Sequence, residues 1–213
     1  MTTATAPEGD ERLVRGYAGR LLVAASVGWL AIQCGRLVLS PMLPTISADL
    51  GISDAQAGFA FTTLWGLYAV LQYPSGRLSD RLSRKTLLVA GLGLSAVGFA
   101  AVASATSYAL LLAGAAVLGT GAGLYPTAAR ALVSDLYTAK QGRAFGLHTA
   151  SGDVGGVASA GLAAAVLAYA TWRAAFVPVV VVVLAVLVAL HVWSREDYVV
   201  AARSLAIRDT VDR

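Results

Sequence analysis

Ionisable and hydrogen-bonding residues stand inside stretches of this chain that are otherwise apolar. Ser26, Trp29, Gln33, Arg36 and Ser40 recur at intervals of three and four. That spacing gathers them into one stripe of a helix. A guanidinium on such a stripe has two uses. It draws in an anionic group of a solute, or it reaches the outer headgroups or a carbonyl. Asp153 lies ten residues beyond Arg143, ~15 Å along a helix at the standard rise. A carboxylate at that depth is protonated, paired or facing water. It suits proton or cation coupling, or a ligand for a solute cation, better than a structural hydrogen bond to a neighbouring helix. His148, nearer Arg143, is placed to relay protons unless it simply lies at the interface. Trp65, Tyr68 and Gln72 form a polar-aromatic face that Tyr125 is expected to join. Such faces line solute cavities and ordinary helix contacts alike. His191 falls near a helix end and is assigned no role.

The elements that hold these groups are long apolar runs. Of the 213 residues, 57% are hydrophobic and only 13% charged. Soluble chains run nearer a quarter charged. A spanning helix needs about 20 mostly apolar residues. Six stretches qualify, roughly 19–40, 57–73, 86–104, 109–129, 144–169 and 174–194. Lipid offers the backbone no water, so these runs are expected to be helices. A β-barrel would alternate apolar and polar residues, whereas Val177 to Val192 is almost continuously aliphatic. The fold expected is therefore an all-α integral membrane bundle of six helices. Residues 1–18 read as a cytoplasmic disordered tail, 19–194 as the bundle, and 195–213 as a charged cytoplasmic tail that starts a linker.

Orientation follows from the basic residues. Arg12, Arg15 and Arg20 precede the first span. Arg77, Arg81, Arg84 and Lys85 follow the second, and Arg130, Lys140 and Arg143 follow the fourth. Arg195, Arg203, Arg208 and Arg213 follow the sixth. Six alternating spans put all of these on one side and leave Arg36 and Arg173 for the other. The positive-inside rule places that basic side, with both termini, in the cytoplasm of a cell membrane. The net charge of +4 is thus topological, and nucleic-acid binding is not expected. The first apolar run is too long for a cleaved signal and should stay as an anchor. Cys34 is the sole cysteine, so neither a disulfide nor a zinc site is expected.

A faint repeat runs through the chain. Leu39-Ser40-Pro41 is followed by Asp49-Leu50 and Ala55-Gln56-Ala57-Gly58. Leu124-Tyr125-Pro126 is followed by Asp135-Leu136 and Ala139-Lys140-Gln141-Gly142. One copy exits outside and the other inside, which predicts an inverted three-plus-three arrangement.

The segment Gly76-Arg77-Leu78-Ser79-Asp80-Arg81-Leu82-Ser83-Arg84-Lys85 joins the second and third spans. It resembles the signature loop of the major facilitator superfamily. Arg36 with Pro41-Met42-Leu43-Pro44, Asp49-Leu50-Gly51-Ile52-Ser53, Gly142-Arg143-Ala144-Phe145-Gly146 and Trp172-Arg173 with Phe176 resemble the family too. The resemblance covers about residues 19–194 and implies the family's N-terminal six-helix half. It implies that Gly76, Leu78, Asp80, Arg81, Arg84 and Lys85 form a cytoplasmic latch against a helix of the other half. Gly76 is expected to let the chain turn tightly. Asp80, among four cations, is expected to favour a helix N-terminus. Two positions depart from the pattern. Ala115 stands where many relatives carry an arginine in the fourth helix, and Ser159-Ala160 stands where antiporters carry Gly-Pro. Both weaken a drug/proton antiporter reading.

The function expected is secondary transport of a small solute by alternating access, possible coupling being to protons or another ion. No phosphate-binding loop with Lys and Ser/Thr is present, so direct ATP drive is not expected. Neither catalysis nor a cofactor is expected. Half of such a transporter needs a second six-helix bundle: a C-terminal half, another chain or a homodimer. The alternative is a six-helix membrane subunit that serves interaction or assembly without transport.

Overall fold

The computed structural model describes residues 13–199, apart from the side chains of Asp80 and Arg81. Helix α1 spans Gly16–Leu37, α2 Leu39–Leu50, α3 Asp54–Arg81, α4 Arg84–Ala103 and α5 Tyr108–Leu136. Helix α6 spans Gln141–Tyr169. A 3-10 turn, Trp172–Ala175, then leads into α7, Phe176–Trp193. No strand occurs among the described residues. Among the described residues, five units are long and apolar enough to cross a membrane: α1, α4, α5, α6 and Trp172–Trp193. The chain is a multi-pass membrane protein. Six spans were expected; α3, the second of them, has the length at 28 residues but falls short in apolarity.

Local chemistry sets the helix ends. The outer loop expected after the first span is helical. Helix α2 continues α1 after a single turn residue, Val38. Pro41 sits in the first turn of α2, where a missing N–H costs little. Gly51 closes α2 in the left-handed region at φ 61°, a conformation glycine adopts without strain. Ser53 then opens α3 through a capping box. Its Oγ accepts from Gln56 N at 3.3 Å, and its own N–H donates to Gln56 Oε1 at 3.0 Å. Such a cap contributes about 1 kcal/mol. Ser83 and Ser107 cap α4 and α5 through the side chain alone, their Oγ atoms accepting from Thr86 N and Leu110 N.

The loop expected at residues 74–85 is mostly helix as well. Helix α3 runs through Pro74 and Gly76 to Arg81. The turn is confined to Leu82 and Ser83, both extended. Gly76 therefore makes no tight turn. It lies inside a helix, where a Cβ would reach Thr127 Cγ2 of α5 at 3.7 Å.

Helix α1 packs on α6 and α7, α5 packs on α3 and α4, and α4 meets α7. The core lies among α1, α4, α5 and α7, around Leu92, Phe99, Leu118, Phe176 and Val183. Phe99 stacks on Phe176 with centroids 6.1 Å apart. Glycines allow the closest approaches. A Cβ at Gly123 would stand 2.8 Å from the Tyr68 carbonyl, and one at Gly119 would collide with the Leu64 carbonyl. The small-residue face of α5 at Gly119 and Gly123 thus meets α3. On α6, a Cβ at Gly156 would stand 3.3 Å from Leu37 Cδ1 of α1. Gly152 and Gly155 meet Trp29 and Leu30 of α1, while Ala160 and Ala164 are exposed.

Candidate functional site

Three helices bring polar and aromatic groups to one cluster. Helix α1 supplies Trp29, Gln33 and Arg36 from the stripe read in the sequence. Helix α3 supplies Trp65 and Tyr68, and α6 supplies His148. Arg36 is 1% exposed, so it does not reach headgroups. Its Nη2 donates to Gln33 Oε1 at 2.6 Å. Its guanidinium carbon lies 3.8 Å from the Tyr68 ring centroid, 4.4 Å from that of Trp65 and 6.0 Å from that of Trp29. Trp65 and Tyr68 pack edge to face at 5.7 Å. Cation–π contacts of this kind are worth about 0.5–2 kcal/mol each. They hold the guanidinium without supplying a counter-charge.

His148 is buried and stacks on Trp29 at 6.3 Å. It thus joins the cluster through Trp29. The remaining candidates fall elsewhere. Gln72 Nε2 bonds back to Tyr68 O at 3.5 Å, a contact within its own helix. Tyr125 does not join the aromatic face. It is fully buried against α1, where its hydroxyl donates to Ala25 O at 2.9 Å over Gly28. Asp153 is exposed on α6 and has no hydrogen bond or ion pair among the described residues. It is not brought to Arg36.

The signature segment forms a second group at the C-terminal end of α3. Arg84 Nε donates to Asp135 Oδ2 at 3.0 Å, and its Nη1 donates to Ser79 Oγ at 2.6 Å and to Ser79 O. One arginine of α4 thereby ties the ends of α3 and α5. Leu78 is partly exposed and its carbonyl receives the Leu82 N–H at 2.7 Å. Lys85 turns the other way. Its N–H donates to Glu196 Oε2 at 3.0 Å and its Nζ to Ser194 O at 3.1 Å, beyond α7. Asp80 and Arg81 belong to the last turn of α3; their side chains lie outside the described residues.

At the end of the bundle away from the signature segment, Arg173 Nη1 donates to Asp49 Oδ2 at 2.7 Å and Trp172 Nε1 donates to the same oxygen at 3.2 Å. Arg173 Nη2 also donates to Ala105 O at 2.8 Å. These bonds hold the Asp49 carboxyl below its ordinary pKa, the Arg173 hydrogen bond contributing most. Asp49, Asp135 and Glu196 were missed as site residues. Their partners lie 51 to 124 positions away, so no local spacing marks them.

The family model of the Major Facilitator Superfamily matches residues 24–210. The chain is 29% identical over 143 residues to a probable sulfoacetate transporter, SauU, of Cupriavidus necator, covering 67% of this chain and 33% of that protein. It is 39% identical over 110 residues to the inner membrane transport protein YajR of Escherichia coli, covering 51% of this chain and 24% of that one. In fold it is similar to a bacterial homologue of the human lysosomal transporter Spinster, with a TM-score of 0.76 and 20% identity over 85% of this chain and 44% of the other. The chain therefore spans less than half the length of these relatives. The signature segment, the helical bundle and the match along most of the sequence agree: this chain belongs to the Major Facilitator Superfamily.

Proposed function

We propose that this chain is the N-terminal half of a secondary transporter that moves a small solute across the cell membrane by alternating access. The observation that carries this reading is the convergence of α1, α3 and α6 on the cluster around Arg36. A polar cluster at intramembrane depth serves solute passage far more readily than stability. In this reading α3 also crosses the membrane, as the second of six spans, and its lower apolarity reflects the polar groups it turns to the cavity.

The pairing of helices supports an inverted repeat. Exchange α1 with α5, α3 with α6, and α4 with α7. The pairs α1–α6, α1–α7, α3–α5, α4–α5 and α4–α7 then map onto one another. Two three-helix sets related in this way suit a transporter half. Segregated arginines and lysines support cytoplasmic termini. Helices α3 and α6 each keep an open face: Phe59, Gly66 and Tyr73 on one, Gly146, Asp153 and Ala160 on the other. A second bundle covers both, and the segment from Gly76 to Lys85 latches against it. Asp153 is assigned to coupling because it belongs to the face that the second bundle would meet.

The test is uptake in proteoliposomes. The chain joined to a second six-helix bundle, taken from the coding region downstream where one follows, should give saturable uptake from a solute panel. The chain alone should give none. Saturable uptake by the monomeric chain alone would overturn the half-transporter reading.

A further inference from the structure

We infer that the group recognised at the Arg36 cluster is an oxyanion: a carboxylate, sulfonate or phosphate carried by the solute. The inference rests on the transporter reading and narrows it to a solute class. Three observations carry it. First, Arg36 is buried, yet its Nε and Nη1 have no acceptor among the described residues. Second, no carboxylate pairs with it there; Asp153 is exposed on α6, and the ion pairs among the described residues, Arg84–Asp135 and Arg173–Asp49, lie elsewhere. Third, Trp65 Nε1 is also buried without an acceptor, and the Trp65 ring lies over the guanidinium.

The unsatisfied groups of Arg36 and Trp65 are all donors. A buried cation without a counter-charge is costly, and the cost falls when a partner of opposite charge and acceptor character arrives. The π faces of Trp29, Trp65 and Tyr68 meet the guanidinium, but they offer no oxygen lone pairs to its in-plane N–H groups. An oxyanion does, and the planar guanidinium matches carboxylate, sulfonate and phosphate geometry. A cationic solute would be repelled. A neutral carbonyl would satisfy one donor and leave the charge uncompensated. Trp65 and Tyr68 are half-buried and cover Arg36. The oxyanion engages as these rings swing aside, and Trp65 Nε1 then adds its own hydrogen bond.

Two of the four tryptophans, Trp29 and Trp65, stand at the cluster, so intrinsic fluorescence reports on it. The purified full chain in nanodiscs is titrated at constant ionic strength with acetate, methanesulfonate and inorganic phosphate. Acetamide and tetramethylammonium serve as the neutral and cationic probes. At least one anion should change the fluorescence saturably and raise the melting temperature, and the anion arms rank carboxylate, sulfonate and phosphate. Acetamide and tetramethylammonium should do neither. Arg36→Gln should abolish the response. Trp65→Phe, which keeps a ring and removes one N–H, should weaken it about tenfold or more, since the hydrogen bond it removes is made to a charged group. An equal response to acetamide, no saturable response to any anion, or an unchanged response in folded Arg36→Gln overturns the inference. So does an unchanged affinity in Trp65→Phe if Arg36→Gln fails to fold. A joined protein that transports a neutral or cationic solute without an anion response overturns the solute class and leaves the transporter reading standing. An anion response in a joined protein that never transports supports the site and overturns the transporter reading.

Discussion

Arg84, the first residue of α4 after the turn that ends α3, is bonded to Asp135 at the far end of α5 at 3.0 Å. The side chain of Asp135 is 54% exposed and that of Arg84 21%. An ion pair so open contributes at most about 1 kcal/mol. The bonds from Arg84 to Ser79 O and Oγ add a helix-end carbonyl that otherwise lacks a partner within α3. Arg84→Ala should therefore destabilise the chain by about 1–3 kcal/mol, and Asp135→Asn by less than about 1 kcal/mol. Thermal unfolding of both single variants and the double variant measures this. Equal losses in the two single variants would show that the ion pair, not the Ser79 contacts, dominates.

Tyr125 and Gly28 form a second dependent pair. The Tyr125 hydroxyl bonds Ala25 O at 2.9 Å in a fully buried place. Tyr125→Phe should cost about 1 kcal/mol. A Cβ at Gly28 would collide with that hydroxyl and stand 3.1 Å from Val186 Cγ1. Overpacking of this kind costs about 1–3 kcal/mol. Gly28→Ala should therefore lose more than Tyr125→Phe, and the double variant should lose less than the sum of the two. Strict additivity in the unfolding series would contradict the contact.

The bundle was legible where physics acts along the chain, and obscure where it acts between distant segments. Apolar runs and segregated arginines mark the helices because lipid demands them. The end of α3 was misread because Pro74, Gly76 and the charged residues after them look like a loop. Beyond the apolar region the helix is continued by its neighbours, as when Ser75 Oγ donates to Leu124 O at 2.9 Å. The stripe ending at Arg36 was readable from its period. That Trp65 and Tyr68 cover it was not, since the phase between α1 and α3 is set by packing. Tyr125 was misplaced for the same reason. Helix α5 carries glycines on faces that meet both α3 and α4, so its sequence alone does not say which face turns to α1.

The Asp49 clasp should respond only to strong acid. Its carboxyl has a lowered pKa in the folded chain, chiefly through the hydrogen bond from Arg173 and then through that from Trp172. A depressed carboxylate contributes stability above its unfolded pKa and loses that contribution as pH falls through the folded one. Between about pH 5 and 8 this group should add no pH dependence. Below the ordinary aspartate range the melting temperature of the wild-type chain should fall more steeply than that of Asp49→Asn. Parallel acid limbs in the two melting profiles would remove the clasp from the account.

Glu196 completes the start of α4. The first turn of that helix has no acidic residue and carries Arg84 and Lys85, the wrong sign for a helix N-terminus. Glu196 Oε2 accepts the Lys85 N–H at 3.0 Å, and Val199 N–H donates to Thr86 Oγ1 at 3.1 Å. Glu196→Gln should weaken the first turn by about 0.3–1 kcal/mol. Hydrogen exchange should show faster exchange at Lys85 and Thr86, with the centre of α4 unchanged. Unchanged protection at Lys85 would mean that the segment after α7 does not hold this end.

Asp153 separates a coupling role from a structural one. It is exposed on α6 and no hydrogen bond or ion pair holds it among the described residues. Surface substitutions away from such contacts change stability by no more than about 0.5 kcal/mol. Asp153→Asn should therefore leave the melting temperature of this chain unchanged. In the protein joined to a second bundle, the same substitution should flatten the pH dependence of uptake, because the one group on that open face able to exchange a proton as a carboxylate is gone. Unchanged pH-dependent uptake would remove the coupling role. A fall in the stability of the chain alone would instead assign Asp153 to helix packing, a contact absent from the arrangement of α1 against α6.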